Sequence, residues 1–312
     1  MGKIVGIDIG GTKISGAIIE NGEIASDIIV EKTPFCTKEI LEIAFNIVEK
    51  FKTQQQISAI AIASAGATNN DNTRIIGSTG NLPSDYPSME FSKIFSEKFN
   101  IPAFIENDAN AAAYAEYKVG AAKGSLNSIT VTLGTGIGGG IIVNGKLLKG
   151  KSGAAGEIGH IMLGIEPKRA CTCGEYNCFE AYASGTGFRK TIQELAENLP
   201  EFKTSTLSNK KINELTTYDV ISGNKTGDKF CMIAYELWEK ELIIGLTSLA
   251  NIFDPENIVL SGGLAKEVNY EKVENDINSK IVTTPLKLLE AKAGNYAGMI
   301  GAALLAQGKF NL

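Results

Sequence analysis

The sequence lacks the features that would place it in several common classes of protein. It has 30 basic and 35 acidic residues, a net charge of −5 and no basic block. A nucleic-acid partner is therefore not expected, because phosphate backbones are bound by concentrated Lys and Arg. The overall composition, with 44% hydrophobic and 21% charged residues, is that of a globular protein.

Long apolar runs are also missing. The longest ones, residues 59–67 and 242–253, are too short or too polar to span a bilayer. The opening residues, MGKIVGIDIGG, lack the apolar core of a signal peptide. We therefore expect a cytoplasmic protein that has no membrane partner.

The chain has one histidine and five cysteines, and three of the cysteines are clustered. Cys171, Cys173 and Cys178 lie within eight residues, and His160 is the only histidine. In a cytosolic chain, clustered cysteines indicate a metal site before a disulfide. Three cysteines and one histidine match a closed, structural zinc site, and reduced thiols beside an unrelated histidine are the alternative.

Two carboxylates flank the cysteine cluster. Glu157 precedes the histidine and Glu180 follows the last cysteine. If the metal fixes this loop, both carboxylates are suited to accept hydrogen bonds from the hydroxyls of a polyol. Either glutamate taken alone would be interpreted as a solvated surface charge.

Alternating and helical apolar patterns predict a mixed α/β protein. The predicted strands are residues 4–9, 14–20, 23–32, 57–64, 102–107 and 257–261. The predicted helices are residues 38–52, 91–99, 109–115, 187–198, 228–252 and 295–307.

An internal repeat relates the two halves of the chain. GTKISGAIIENG (11–22) and GTGIGGGIIVNG (134–145) share the Gly-Thr start, the isoleucine spacing and the final Asn-Gly turn. This similarity predicts a duplicated α/β unit, and therefore two domains that flank a cleft, where ligands often bind.

Glycine-rich turns begin both copies of the repeat. GGTK (10–13) and GTGIGGG (134–140) combine free backbone N–H groups with a hydroxyl, which suits phosphate oxygens. Neither contains the GxxxxGK[ST] motif, and plain tight turns are the alternative. A third turn, LSGGL (260–264), is equally compatible with a nucleotide or with a simple strand-to-helix connection.

The segment ENDANAAAYAE (106–116) places polar residues before an alanine-rich helix. Asn107 and Asp108 could cap that helix by accepting its first N–H groups. Asp108 could instead accept a proton from a substrate hydroxyl, because the helix N-terminus would keep it ionised. Both roles are compatible.

Taken together, these motifs resemble those of the ROK family of sugar kinases, within the actin-like ATPase superfamily. DIGGTK (8–13) and GTGIGGG (134–140) are similar to its two phosphate loops, and ENDANAAAYAE (106–116) to its catalytic motif. GEIGH (156–160) with CTCGEYNCFE (171–180) is similar to its zinc signature. The resemblance implies a duplicated actin-like, or ribonuclease H-like, ATPase fold.

The resemblance also implies a role for each matching residue. Asp108 would be the general base, with ATP, Mg²⁺ and a structural Zn²⁺ as cofactors. The sugar would be bound by Gly66, Asn81, Asn107, Asp108, Glu157, His160 and Glu180. The nucleotide, its phosphates and its Mg²⁺ would be bound by Asp8, Gly10, Gly11, Thr12, Lys13, Gly134, Thr135, Gly136, Gly262 and Gly263. The zinc ligands would be His160, Cys171, Cys173 and Cys178.

The implied domains are a smaller one, residues 1–107 plus 298–312, and a larger one, residues 108–297, that carries the zinc loop. The implied partners are a small sugar and ATP, and the implied assembly is a homodimer or a dimer of dimers. The implied reaction is ATP-dependent phosphorylation of a hexose, at the 6-hydroxyl of glucose or a related sugar.

Other readings of the same motifs stay open. An N-acetylmannosamine or N-acetylglucosamine kinase would use the same carboxylates. A sugar-responsive regulator of the same family would carry a helix-turn-helix before the first phosphate loop, and the few residues before Asp8 leave no room for one.

The sequence departs from the family motifs at two places. Asn177 replaces a usual glycine, and Asn tolerates the left-handed conformation that this position needs. Many family glucokinases carry a Trp soon after the NLP motif, whereas SDYPSMEF (84–91) follows it here, so the sugar is not specified.

Overall fold

The computed structural model describes residues 2–77, 82–166 and 168–312, which form α-helices and two β-sheets. The strands are β1 (Ile4–Ile9), β2 (Lys13–Glu20), β3 (Glu23–Ile24), β4 (Ile29–Lys32), β5 (Ala59–Ser64), β6 (Ala103–Asn107), β7 (Ser128–Leu133), β8 (Ile137–Val143), β9 (Lys146–Leu147), β10 (Asn257–Ser261) and β11 (Lys287–Glu290). The helices are α1 (Thr37–Gln54), α2 (Phe91–Phe99), α3 (Asp108–Lys118), α4 (Glu180–Ala183), α5 (Gly185–Asn198), α6 (Thr217–Lys225), α7 (Lys229–Phe253), α8 (Tyr270–Asn278) and α9 (Ala297–Phe310).

The two sheets have the same strand succession. The first has the order β3-β2-β1-β5-β6, with β4 also paired to β2, and the second has the order β9-β8-β7-β10-β11. Strands β1 and β2 are antiparallel, as are β8 and β9, whereas β5 pairs with β1 and with β6 in parallel. This shared order agrees with the predicted duplication and with the predicted α/β fold class.

One compact unit consists of residues 1–130, 139–156 and 291–312. Its first sheet is covered on both faces, and β1 shows why. Val5, Ile7 and Ile9 belong to the cluster formed with α1 and α2, whereas Ile4 belongs to the cluster formed with α3 and α9. Alternate strand residues point to opposite faces, so a strand covered on both faces is apolar at nearly every position, and Asp8 is the exception in β1.

The other compact unit consists of residues 131–138 and 157–290, and α7 runs through its core. Trp238 on this helix is fully buried, stacks on Phe188 with ring centroids 4.9 Å apart, and donates its indole N–H to the carbonyl of Ala183 at 2.8 Å. Position 245 on the same helix requires glycine, because a Cβ there would lie 2.2 Å from the ring of Phe179.

Most predicted elements are present, but the predicted strand at 23–32 is wrong as one element. It is interrupted between β3 and β4, because the Ser26 hydroxyl accepts the backbone N–H of Ile18 at 2.9 Å and takes the place of a ladder bond. The predicted domain limits stay a prediction. The predicted smaller domain stops at residue 107 and resumes at residue 298, whereas the first compact unit also includes α3 and residues 139–156.

Over the described ranges, no helix joins the length and the apolar composition that a bilayer crossing requires.

Candidate active site

At the turn from β6 into α3, the helix cap and the predicted catalytic carboxylate are two different residues. Asn107 is the N-cap of α3, and its Oδ1 accepts the backbone N–H of Asn110 at 2.9 Å. Its Nδ2 donates to the carbonyl of Gly66 at 3.1 Å. A Cβ at Gly66 would lie 2.3 Å from the carbonyl oxygen of Gly77, so this turn requires glycine. The predicted residues Gly66, Asn107 and Asp108 are therefore brought together.

Asp108 is the first residue of α3 and is only partly exposed. Its Oδ1 accepts the N–H of Ala109 at 2.8 Å and the Nδ2–H of Asn107 at 3.2 Å. Burial raises the pKa of Asp108, and these hydrogen bonds only partly oppose it. The expectation that the helix N-terminus simply keeps Asp108 ionised is therefore too strong, because desolvation is the larger effect.

Asp8 lies near Asp108 and shares its environment. Burial, followed by the negative charge of Asp108, raises the pKa of Asp8 to about 7, and the charge of Lys13 partly opposes this. The N-terminal turn of α9 approaches the same carboxyl, since a Cβ at Gly298 would lie 3.1 Å from Asp8 Oδ2. The carboxyl group of Asp8 has hard oxygen atoms that are suited to hold Mg²⁺, which would favour its ionised form.

The first glycine-rich turn connects β1 to β2. Gly10 donates its N–H to the carbonyl of Lys13 at 3.0 Å, and its own carbonyl accepts the hydroxyl of Thr33 at 2.6 Å. Gly11, Thr12 and Lys13 are exposed. The turn is therefore fixed by its contact with Thr33, while residues 11–13 are accessible to a phosphate.

The second glycine-rich turn connects β7 to β8. Gly134 donates its N–H to the carbonyl of Gly136 at 3.0 Å, and Glu180 Oε2 accepts the N–H of Ile137 at 2.8 Å. A Cβ at Gly136 would lie 2.2 Å from that carboxylate oxygen. A side chain at 136 would therefore require the Glu180 carboxylate to leave the N–H of Ile137. Thr135 lies between the two glycines of this turn.

The third turn packs on the end of β7. Gly262 has φ +92°, and a Cβ there would lie 2.5 Å from the carbonyl oxygen of Leu133. At Gly263 a Cβ would meet no described atom within 4 Å, and the residue is exposed. Gly263 thus leaves a flat, open backbone next to a tightly held turn, as contact with a nucleotide would require.

The predicted sugar-binding residues in and beside the cysteine loop (171–178) lie close to one another. His160 Nε2 is 3.9 Å from Glu157 Oε2. Glu180 Oε1 accepts the hydroxyl of Thr172 at 3.0 Å and lies 3.8 Å from Cys171 Sγ. Glu180 therefore joins the cysteine loop to the second glycine-rich turn. The predicted residue Asn81 lies outside the described residues.

The four predicted zinc ligands are assembled in one place. Their ligand atoms all lie within 4.8 Å of one another, with 3.7 Å between Cys173 Sγ and Cys178 Sγ and 3.6 Å between Cys171 Sγ and His160 Nδ1. A tetrahedron with Zn–S bonds of about 2.3 Å has S–S edges of about 3.8 Å, so the donor set fits Zn²⁺. Asn177 has φ +61°, as predicted for a left-handed Asn in this loop.

Some contacts at the turn from β6 into α3 were not predicted from sequence. The hydroxyls of Tyr86 and Ser64 are 2.8 Å apart and both residues are fully buried. Burial raises the pKa of Tyr86, and the charges of Asp108 and Asp8 add to this, which places the phenol near the two carboxylates. Glu106 is buried and paired with Lys149. Glu106 stands in the quoted motif, but no local pattern indicates Lys149.

Comparison with known proteins gives a consistent assignment. The model of the ROK family matches residues 4–309. A glucokinase from Streptomyces coelicolor is 33% identical, with 98% of both chains covered. A ROK family glucokinase structure from Streptomyces griseus, in complex with glucose and AMPPNP, superposes with a TM-score of 0.82 at 28% identity, covering 98% of this chain and 100% of that one. A ROK hexokinase structure from Thermus thermophilus gives a TM-score of 0.79 at 29% identity, with 99% of each chain covered. The chain therefore belongs to the ROK family.

Proposed function

We propose that this protein transfers the γ-phosphoryl group of ATP to the 6-hydroxyl of glucose or a related hexose. One observation carries the proposal: Asp108 begins a helix, is partly exposed, and is held by Asn107, which also binds the backbone of Gly66. A carboxylate held at a turn that also presents a backbone carbonyl and an amide is suited to orient and deprotonate a sugar hydroxyl.

Asp108 would act as the general base. The two hydrogen bonds described above both use its Oδ1, so we assign Oδ2 to accept the proton of the sugar hydroxyl. The raised pKa supports this role, because a base works best when its pKa lies closer to the working pH than that of an ordinary carboxylate. The bond that forms is between the sugar oxygen and the γ-phosphorus, and ADP leaves.

ATP and Mg²⁺ would be bound by the glycine-rich turns and by Asp8. The backbone N–H groups and hydroxyls of the turns at 10–13 and 134–136 would bind phosphate oxygens, and Gly262 and Gly263 would lie against the nucleoside. Asp8 would hold Mg²⁺, and Lys13 would add a positive charge. When bound, Mg²⁺ would supply positive charge that neutralises the negative charge developing on the phosphates during transfer.

Zn²⁺ would have a structural role. Its four protein ligands leave no open coordination position, so it would fix the loop rather than activate a substrate. The fixed loop would hold Glu157, His160 and Glu180 so that their polar atoms bind sugar hydroxyls. The predicted dimer or dimer of dimers and the cytoplasmic location belong to the same proposal, and light scattering in solution tests the first.

The test is ADP formation from Mg-ATP across a panel of sugars: glucose, mannose, fructose, glucosamine, N-acetylglucosamine, N-acetylmannosamine and allose. We expect turnover on neutral hexoses, with the product identified as a 6-phosphate by NMR, and loss of turnover in Asp108→Asn. Turnover only on N-acetylated sugars would replace the hexose by an N-acetylhexosamine. Absence of sugar-dependent turnover would contradict a kinase function.

A further inference from the structure

The turn from β6 into α3 rests on an ion pair between the buried Glu106 and the half-buried Lys149. Glu106, the residue before the cap of α3, is 1% exposed, and its Oε2 lies 2.6 Å from Lys149 Nζ. A buried carboxylate is costly unless it is paired and hydrogen-bonded. Lys149 supplies the charge, and it follows β9 in the chain, far in sequence from Glu106.

The same carboxylate fixes the residues that present Asp108. Its Oε1 accepts the backbone N–H of Asn107 at 2.9 Å and the side-chain amide of Asn110 at 3.3 Å. Asn110 in turn donates its backbone N–H to Asn107 Oδ1. Asn107 is therefore held both through its backbone and through its side chain, whose Nδ2 contacts Asp108.

The ion pair also fixes the loop that carries the Gly66 carbonyl. Thr68 donates its hydroxyl to Glu106 Oε1 at 2.7 Å and accepts Lys149 Nζ at 3.2 Å. Asn72 donates to Glu106 Oε2 at 2.8 Å. Three separate segments, the 66–72 loop, the start of α3 and the residues after β9, thus meet at one carboxylate.

The segment after β9 is packed closely enough to act as a rigid support. Asn70 donates its side-chain amide to the carbonyl of Lys151 at 2.6 Å, and a Cβ at Gly153 would lie 2.1 Å from the carbonyl oxygen of Thr68. Lys309, a second cation near Glu106, donates to the carbonyl of Asp71. Of these two lysines, Lys149 makes the direct contact with the carboxylate.

We propose that Glu106 and Lys149 form a positioning pair for catalysis, which sets the orientation of Asn107, the Gly66 carbonyl and thereby the carboxylate of Asp108. The inference rests on the proposed function, because it concerns the placement of the proposed base. Neither residue is assigned a direct role in the chemistry. Misplacing a reacting group by about 1 Å can cost about 100-fold in rate, so a distant charge can control turnover.

The central test compares Lys149→Met with Lys151→Met, a matched control on the same segment whose side chain is exposed. We expect Lys149→Met to lower kcat by about 100-fold, because the unpaired Glu106 carboxylate distorts the turn. The KM for ATP should change by less than about threefold, since the pair supports the sugar and base side only. Lys151→Met should retain wild-type kcat.

A double variant separates positioning from simple loss of a contact. In Glu106→Gln/Lys149→Met the charge is gone, but the Gln oxygen can still accept the N–H of Asn107. We expect kcat to recover by about tenfold relative to Lys149→Met, which is the non-additivity of a coupled pair. Thermal unfolding of each variant confirms that the folded protein is being assayed.

The outcomes are distinct. Wild-type turnover tests the proposed function, and the ratio between the variants tests the positioning pair. A folded Lys149→Met with kcat within threefold of Lys151→Met would overturn the inference. If Lys149→Met does not fold, Thr68→Val carries the test: a fall in kcat of about fivefold or more supports the pair, and an unchanged kcat overturns it.

Discussion

The two copies of the strand–turn–strand repeat share a backbone but present different chemistry. Both end in an Asn-Gly turn with left-handed φ, +54° and +79° at Asn21 and Gly22, and +51° and +72° at Asn144 and Gly145. The glycine-rich turn of the first copy is bounded by Asp8 and Lys13. At the equivalent positions of the second copy, the repeat places Val131 and Gly136. The first turn therefore presents charge, and the second presents only backbone and small side chains.

The second turn derives its shape from outside the repeat. Glu180, at the start of α4, accepts the N–H of Ile137 and occupies the space that a side chain at Gly136 would need. In the first turn, Thr33 at the end of β4 has the supporting role through the carbonyl of Gly10. Duplication thus supplied one scaffold twice, and the residues packed against each turn made the two copies different.

The largest effect is expected from Gly136→Ala, which brings a side-chain atom to the second turn. The new Cβ would overlap the carboxylate of Glu180, so that carboxylate must move and release the N–H of Ile137 that shapes the turn. We expect kcat/KM for ATP to fall by about 100-fold, as for a phosphate site displaced by about 1 Å. Gly308→Ala is the control, because a Cβ there meets no described atom within 4 Å. Equal activity of the two variants would show that the second turn does not bind phosphate.

Removal of zinc should weaken the second turn and leave the first unchanged. Glu180 touches both Cys171 and Ile137, so a loosened cysteine loop releases a support of the second turn. We expect one Zn²⁺ per chain by mass spectrometry and a loss of about 10- to 100-fold in kcat/KM after chelation, restored by Zn²⁺. Full activity in metal-free protein would contradict the coupling.

Lys13→Met tests the charge of the first turn. Removing the ammonium makes the first turn resemble the second, where glycine stands at the equivalent position. We expect the KM for ATP to rise by about tenfold with a smaller change in kcat, because one exposed charge–phosphate contact is lost. Steady-state kinetics at constant ionic strength measure this. A change confined to the KM for the sugar would place Lys13 elsewhere.

The smallest effect concerns the stability of the metal-free protein. The pKa of Asp8 is raised to about 7 from its ordinary value of 3.8, so the folded state holds the proton more tightly than the unfolded state. This contribution to stability is complete below the unfolded-state pKa and is lost as the pH rises through the folded-state pKa. Relative to wild type, Asp8→Asn should therefore gain about 1–2 kcal/mol in unfolding free energy between pH 6 and pH 8. Denaturant unfolding measures it, and a difference that does not change with pH would contradict it.

Features of the fold that depend on neighbouring residues in the sequence could be predicted, and features that depend on distant residues could not. The buried strands β1, β5 and β6 and the amphipathic α1 were predicted because their apolar spacing is a local signal. The short helices α6 and α8 were not predicted, although Thr216 and Asp219 form a capping box and Asn269 caps α8. Short helices with few apolar residues leave little periodicity to detect.

The residues proposed for the site could be named from the sequence, but the contacts that support them could not. Asp108, the glycine-rich turns and the cysteine cluster suggest their proposed roles by residue type alone. The pairing of Glu106 with Lys149 joins residues 43 positions apart and has no local pattern. The dominance of burial over the helix N-terminus at Asp108 likewise depends on which atoms surround the carboxyl, which folding alone determines.

The central claim is that Asp108 is the general base of a sugar kinase. The most direct test is single-turnover phosphorylation of glucose by wild type and by Asp108→Asn, with glucose affinity measured separately by calorimetry. The account predicts that the rate of phosphoryl transfer falls by about 10²- to 10⁴-fold while glucose affinity stays within about threefold. A rate within tenfold of wild type in a variant that still binds glucose would contradict it.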